Sequence, residues 1–302
     1  MKNKVIVILG QTATGKSDLA VEISKTLNGE IISADSRQVY RGLDLGSGKI
    51  TEKEKRGVVH HMLDVASPKI KYNVAKYKKE VDKKIKEIIA KNKIPIICGG
   101  TGFYIDAITK NIILPEVKPD LKLRKELQNK TAEDLFKMLQ KLDKKRASNI
   151  DNKNKVRLIR AIEIIKTLGK VPKIKTKKIK YDFVKIGLFA PSEILQEKIN
   201  IRLQKRIKKG MIKEVQDLHE KEKISFKRLE ELGLEYRHVA LYLQNKINKK
   251  EMVENLEKEI LQYAKRQMTW FKRDQDIIWI DVSKDQDLKI NNDSFSLEIK
   301  LK

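Results

Sequence analysis

Gly10-Gln11-Thr12-Ala13-Thr14-Gly15-Lys16-Ser17 is the stretch on which the fold turns. It matches G-x-x-x-x-G-K-[ST] with no mismatch. It follows Val5-Ile6-Val7-Ile8-Leu9, an apolar, β-branched run that reads as a buried strand. Beyond it, Leu19, Ala20, Ile23 and Leu27 recur at helical spacing. Strand, glycine-rich loop and helix in that order are the context of a phosphate loop. The glycines let backbone N–H groups turn inward as an anion nest, and the helix N-terminus adds its positive dipole. Lys16 supplies a point charge for a phosphate, and the Ser17 hydroxyl suits Mg²⁺. Something phosphorylated binds here. The loop alone does not distinguish ATP, GTP and another diphosphate.

The chain has 302 residues, enough for one large or two smaller domains, and 40% hydrophobic residues to fill a core. No apolar run approaches the ~20 residues of a membrane span. The first apolar run ends at Leu9 and leads into the phosphate loop, so no signal peptide is expected. The single cysteine, Cys98, excludes an internal disulfide framework and a multi-cysteine zinc site. A reducing cytoplasm is the expected compartment. The net charge of +26 favours a polyanionic partner, of which nucleic acid is the commonest. A chain rich in Lys, Ile and Asn gains such charge from composition alone, so the positions of the arginines weigh more.

Outward from the loop, Glu30-Ile31-Ile32-Ser33-Ala34 reads as a second buried strand. Asp35-Ser36-Arg37-Gln38 follows its carboxyl end, the edge at which open α/β sheets bind ligands. So dense a polar cluster suits the reading of a base edge. Leu43 to Lys49 is a glycine-rich turn and a candidate second phosphate-facing loop. His60-His61 lacks acidic partners at ligand spacing, so no metal is expected there. Val74 to Ala90 reads as an amphipathic helix and Ile94 to Cys98 as a third strand. Gly99-Gly100-Thr101-Gly102 then offers more amides and a hydroxyl to the same anion. No acidic residue ends that strand, which weakens a routine ATPase reading. From Asp120 to about Lys180 the chain reads as helical and strongly basic, with Thr131 and Asp134 spaced as a capping box. Arg157 and Arg160 share a helix face there, which fits phosphate contact or surface ion pairing. Val184 to Phe189 returns to the sheet, Ile194 to Lys209 is helical, Glu251 to Arg273 is the longest helix, and Ile277 to Ile280 is a final strand.

These pieces together resemble the tRNA dimethylallyltransferase (tRNA isopentenyltransferase) family. The resemblance runs through Gly10 to Ser17, Asp35-Ser36-Arg37-Gln38-x-Tyr-Arg-Gly, His60-His61-x-Leu-Asp, Gly99-Gly100-Thr101-Gly102-x-Tyr, Arg157-x-x-Arg160-Ala161 and Ala264-Lys265-Arg266-Gln267-x-Thr-Trp. It covers residues 4 to about 280 in the family's order. It implies an α/β fold with a P-loop NTPase-like parallel sheet flanked by helices. Residues 1–118 and 182–302 would form the core, with 119–181 as a basic, tRNA-binding helical insertion. It implies transfer of a dimethylallyl group from dimethylallyl diphosphate to N6 of adenosine 37 of tRNA, reached by base flipping.

Carried over, Gly10, Gln11, Thr12, Ala13, Thr14, Gly15, Lys16 and Ser17 hold the diphosphate, with Mg²⁺ at Ser17. Asp35 is the general base, Thr101 contacts the bridging oxygen and Arg202 meets the leaving diphosphate. Asp35, Ser36, Arg37, Gln38, Thr101, Arg124, Val156, Arg157, Leu158, Ile159 and Arg160 would contact tRNA. A bacterial-type, monomeric, cytoplasmic enzyme is implied, without the C-terminal zinc finger of eukaryotic relatives. The chain departs from the family pattern at Gln204, where Asp is usual, and over Asn149 to Asn154. The alternatives are transfer to free AMP, ADP or ATP, a small-molecule phosphate-loop kinase, and an RNA-binding protein that uses nucleotide as a switch.

Overall fold

The computed structural model describes residues 2–172, 175–284, 286–290 and 297–301. The chain forms two compact units, residues 1–111 with 178–302, and residues 112–177. In the first unit β1 (Lys4–Gly10), α1 (Lys16–Thr26), β2 (Gly29–Ser33), α2 (Glu52–Lys55), β3 (His60–His61), α3 (Val74–Ala90), β4 (Ile94–Cys98) and α4 (Gly102–Thr109) come first. The second unit holds β5 (Ile112–Ile113), α5 (Leu121–Gln128), α6 (Ala132–Leu142), α7 (Lys144–Ala147), α8 (Lys155–Leu168) and β6 (Lys175–Thr176). The first unit resumes with β7 (Asp182–Phe189), α9 (Ser192–Lys208), α10 (Met211–Glu220), α11 (Phe226–Leu232), α12 (Leu234–Leu243) and α13 (Lys249–Phe271). β8 (Ile277–Asp281), β9 (Gln286–Ile290) and β10 (Leu297–Leu301) end it.

Among the described residues, β3-β2-β4-β1-β7-β8 form one sheet in that order. Every neighbouring pair in it is parallel. A parallel sheet covered on both faces needs strands apolar on both faces, which is why β1 reads as an unbroken apolar run. Val5, Val7 and Leu9 pack on one side with Tyr77, Val81 and Ile85 of α3. Ile6 and Ile8 pack on the other with Ala20, Val21 and Ile23 of α1. The parallel arrangement brings the carboxyl ends of β1, β2 and β4 to one edge. Gly10 is required where β1 turns into the phosphate loop. Its φ is +127°, and a Cβ there would stand 2.1 Å from the Leu188 carbonyl oxygen of β7.

The helical unit has its own core, built from Leu123, Leu127, Leu135, Leu139, Leu158, Ile162 and Ile165. Thr131 caps α6 through the expected box: its hydroxyl accepts the Asp134 N–H at 3.1 Å, and Asp134 accepts the Thr131 N–H at 3.2 Å. An antiparallel pairing of Ile112 with Thr176 and Ile113 with Lys175 draws the boundaries of this unit to 112 and 177, outside the Pro115–Pro119 break on its amino-terminal side. α3 and β4 coincide with the spans read from the sequence. The stretch from Glu230 to Leu243 divides at Gly233, φ 75°, into α11 and α12. The antiparallel pair β9–β10 lies in the tail, whose polar sequence carries no strand pattern.

Candidate active site

The loop after β1 is fixed at its base and open beyond it. Gln11 is buried; its N–H donates to the Leu188 carbonyl at 3.2 Å and its Oε1 accepts the Ala190 N–H at 3.0 Å. The Gln11 carbonyl takes the Thr14 hydroxyl at 2.8 Å and also the Lys16 ammonium. Thr12 donates its N–H to Gln267 at 2.8 Å. Among the described residues, the N–H groups from Ala13 to Ser17 donate to no protein acceptor. They form an anion nest at the start of α1. Burial lowers the Lys16 pKa to about 8, with Arg202 adding to the effect and Asp35 opposing it. Burial, reinforced by Arg206, also lowers that of Arg202. Lys16, Arg202 and Asp35 thus lie near enough to influence one another's charge, and two desolvated cations favour an anion beside them.

Asp35 follows β2. Its Oδ1 accepts the Arg37 N–H at 2.7 Å and the Gln38 N–H at 3.2 Å. Among the described residues Oδ2 accepts nothing. The Thr101 hydroxyl, after β4, accepts the Ser36 N–H at 3.0 Å, while the Thr101 N–H donates to the Ala34 carbonyl at 3.1 Å. Accepting from Ser36 leaves the Thr101 hydroxyl able to donate, and the Tyr263 phenol is a side-chain partner of that hydroxyl. Arg37 donates to the Leu232 carbonyl at 2.5 Å, and Gln38 is engaged with Ser33 and the Gly48 carbonyl. The polar cluster after β2 is therefore partly a brace for its own backbone.

The turn from Leu43 to Lys49 does not face phosphate. Glu214 of α10 fills it, accepting the N–H groups of Asp44, Leu45 and Gly46 at 3.2, 2.6 and 3.0 Å. Arg202 and Arg206 of α9 donate to its carbonyls, at Gly48 (3.2 Å) and at Gly46 (3.0 Å), and Arg206 pairs with Glu235 at 2.6 Å. The turn is thus a mount for Arg202. His61 meets the buried carboxylate of Glu30 at 2.7 Å.

In the helical unit Glu163 is 1% exposed. It takes Arg124 in a two-bond fork, 2.8 Å on each oxygen, and also Arg160, whose second nitrogen donates to the Val117 carbonyl at 3.0 Å. Burial pushes the Glu163 carboxyl up, but the two guanidinium groups overcome it and hold it below the usual range. Leu158 and Ile159 are core side chains. Val156 and Arg157 are exposed at the start of α8, and among the described residues Arg157 has no ion pair. Of the segment from Val156 to Arg160, the structure offers Val156, Arg157 and part of Arg160 to solvent.

Sequence reasoning missed Gln267, Tyr263, Glu214, Glu235 and Glu163. Gln267 lies in a recognised segment with no role attached to it, and Tyr263 directly precedes that segment as an aromatic at helical spacing. Glu214 and Glu163 sit in charged helices with no local mark. Their partners are 169 and 39 residues away.

A glycine loop on a parallel sheet, with cations and a carboxylate at the same edge, defines a phosphate-loop α/β protein. The IPP transferase family model matches residues 38–274, and the chain belongs to that family. The tRNA dimethylallyltransferase 2 of Treponema denticola is 43% identical over 277 residues, covering 90% of this chain and 92% of that protein. The tRNA dimethylallyltransferase of Finegoldia magna is 40% identical over 291 residues, covering 93% and 92%. The crystal structure of the tRNA isopentenylpyrophosphate transferase from Bacillus halodurans is similar with a TM-score of 0.70 and 34% identity, covering 93% of this chain and 90% of that one. A eukaryotic dimethylallyltransferase, in snapshots described as acting on tRNA, shares the fold with a TM-score of 0.75 at 24% identity, covering 93% and 74%.

Proposed function

We propose that this protein transfers the dimethylallyl group of dimethylallyl diphosphate to N6 of the adenosine at tRNA position 37, beside the anticodon. The products are N6-isopentenyladenosine and diphosphate. Family membership supports the reaction class. The observation that carries the residue roles is the bond from the Ser36 N–H to the Thr101 hydroxyl, which ties the chain after β4 to the residue after Asp35 at the sheet edge that carries the phosphate loop. Such an edge suits an anion at the loop and an amine at Asp35.

Asp35 is the general base. With Oδ1 held by two backbone N–H groups, Oδ2 takes the N6 proton as the C–N bond forms. An exocyclic adenine amine is a weak nucleophile, so this proton removal matters. As the allylic C–O bond breaks, charge develops on the diphosphate. The Thr101 hydroxyl donates to the bridging oxygen, and Lys16, Arg202 and the amides from Ala13 to Ser17 stabilise the leaving group. The Ser17 hydroxyl makes no protein hydrogen bond among the described residues, and no group of three or more His, Cys, Asp or Glu among them is arranged for a metal. That donor set fits a Mg²⁺ held by Ser17 and the donor's own phosphate oxygens, where it would neutralise diphosphate charge.

The helical unit, residues 112–177, binds the tRNA backbone through Arg157, with Arg124 and Arg160 shaped by Glu163. Among the described residues no helix is long and apolar enough to cross a membrane. The enzyme acts as a cytoplasmic monomer. The test is incubation with labelled dimethylallyl diphosphate and Mg²⁺, with tRNA or AMP as acceptor. Label is expected in tRNA; label in AMP alone, or ATP turnover without label, overturns the reading.

A further inference from the structure

We propose that Gln267 is a positioning residue that sets the separation between the donor loop and the acceptor loop. The inference rests on the alkyl transfer proposed above and adds the group that fixes its two reactants at reacting distance. The Gln267 side chain is 5% exposed. Its Oε1 accepts the Thr12 N–H at 2.8 Å, and its Nε2 donates to the Gly100 carbonyl at 3.0 Å. Thr12 opens the loop that receives the diphosphate, and Gly100 immediately precedes Thr101. One amide group therefore spans the two sides of the reaction.

Only an amide does both tasks at this length, because it carries an acceptor and a donor on one planar head. The opposing surface is matched to it. A Cβ on Gly100 would stand 2.1 Å from Gln267 Nε2, so a larger residue there would displace the amide. Tyr263, one turn earlier on α13, supports the same carbonyl from 3.4 Å. The Thr12 N–H is occupied by Gln267, so the anion nest begins at Ala13.

Gln267 touches neither reactant in this account; it acts through Thr12 and Gly100. The allylic carbon and N6 must come within about 3–3.5 Å, and an error of about 1 Å costs on the order of a hundredfold in rate. Slack between the loops falls on that distance rather than on the affinity for either substrate.

The test compares wild type, Gln267→Met, Gln267→Glu and Gly100→Ala. Each is assayed in single turnovers with labelled dimethylallyl diphosphate and an anticodon stem-loop. Gln267→Met matches the volume and lacks the hydrogen bonds. Its rate constant at saturation is expected to fall about ten- to a hundredfold, with half-saturating concentrations of both substrates within about threefold of wild type. Gly100→Ala is expected to be slow. Gln267→Glu keeps the acceptor for Thr12, loses the donor to the Gly100 carbonyl and is expected to be slow as well. A wild-type rate for Gln267→Met, or a loss confined to half-saturation, overturns the proposal. If Gln267→Met does not fold, Gln267→Glu decides, and a wild-type rate for it overturns the proposal. Wild-type enzyme that labels no RNA overturns the transfer reaction itself, a separate result.

Discussion

The Thr101 hydroxyl accepts the Ser36 N–H at 3.0 Å, and so ties the chain leaving β4 to the chain leaving β2. In the proposed transfer Thr101 is the donor and Asp35 the base, and this bond holds the two chain segments side by side. Thr101→Val keeps the shape and loses both functions. Its single-turnover rate is expected to fall about a hundredfold or more, while Thr101→Ser stays within about tenfold of wild type. Equal rates for the Val and Ser variants would remove the hydroxyl from the chemistry.

Lys16 gives a pH dependence whose sign is fixed. Its pKa in the free enzyme is lowered to about 8, mainly by burial. Below that pH the ammonium is charged and attracts a diphosphate; above it the charge is lost. Bound diphosphate favours the charged form, so the dissociation constant for inorganic diphosphate is level below about pH 8 and rises up to about tenfold per pH unit above it. Lys16→Arg should flatten that rise. Calorimetric titrations from pH 7 to 9.5 check it, and a level curve for wild type contradicts it.

Glu163 holds Arg124 and Arg160 in the helical unit. Glu163→Gln leaves two guanidinium groups beside a neutral, buried amide. A loss of about 3 kcal/mol is expected in the opening free energy of α8, read by amide hydrogen exchange. The wild-type carboxyl lies below its ordinary 4.5. A depressed carboxyl contributes stability that is whole above the unfolded-state value and lost as pH falls through the folded one. Wild-type protection should therefore fall below about pH 4.5, and that of the variant should change less. Equal protection at pH 7 would show the cluster to be dispensable.

Arg157 and Arg160 share a helix face and separate in role. Arg157 is exposed, whereas Arg160 is bonded to Glu163 and to the Val117 carbonyl. Arg157→Ala should weaken tRNA binding and lower the salt slope by about one, with α8 protection unchanged. Arg160→Ala should also loosen α8. An unchanged slope for Arg157→Ala removes it from the RNA contact.

Local pattern made much of this molecule legible. The run Val5 to Leu9 told of a buried parallel strand, and α3 follows its amphipathic spacing from Val74 to Ala90. Asp35 and Thr101 follow neighbouring parallel strands and so share an edge, a placement that the strand pattern made legible. What stayed hidden are pairings across long separations. Gln267 meets Thr12 over 255 residues, and Glu214 meets Leu45 over 169. A glutamine or glutamate inside a charged helix carries no local sign of such a partner. The glycine-rich turn at Leu43 to Lys49 misled for the same reason: its amides do bind an anion, the carboxylate of Glu214.

The proposed transfer depends most directly on Asp35, and one measurement reaches it. Asp35→Asn keeps an acceptor for the Arg37 and Gln38 N–H groups and loses the basic carboxylate. Single-turnover transfer from labelled dimethylallyl diphosphate to tRNA is followed beside the tRNA dissociation constant. The prediction is a loss of about a hundredfold or more in rate with tRNA affinity nearly unchanged. A rate close to wild type would contradict Asp35 as the base that takes the N6 proton.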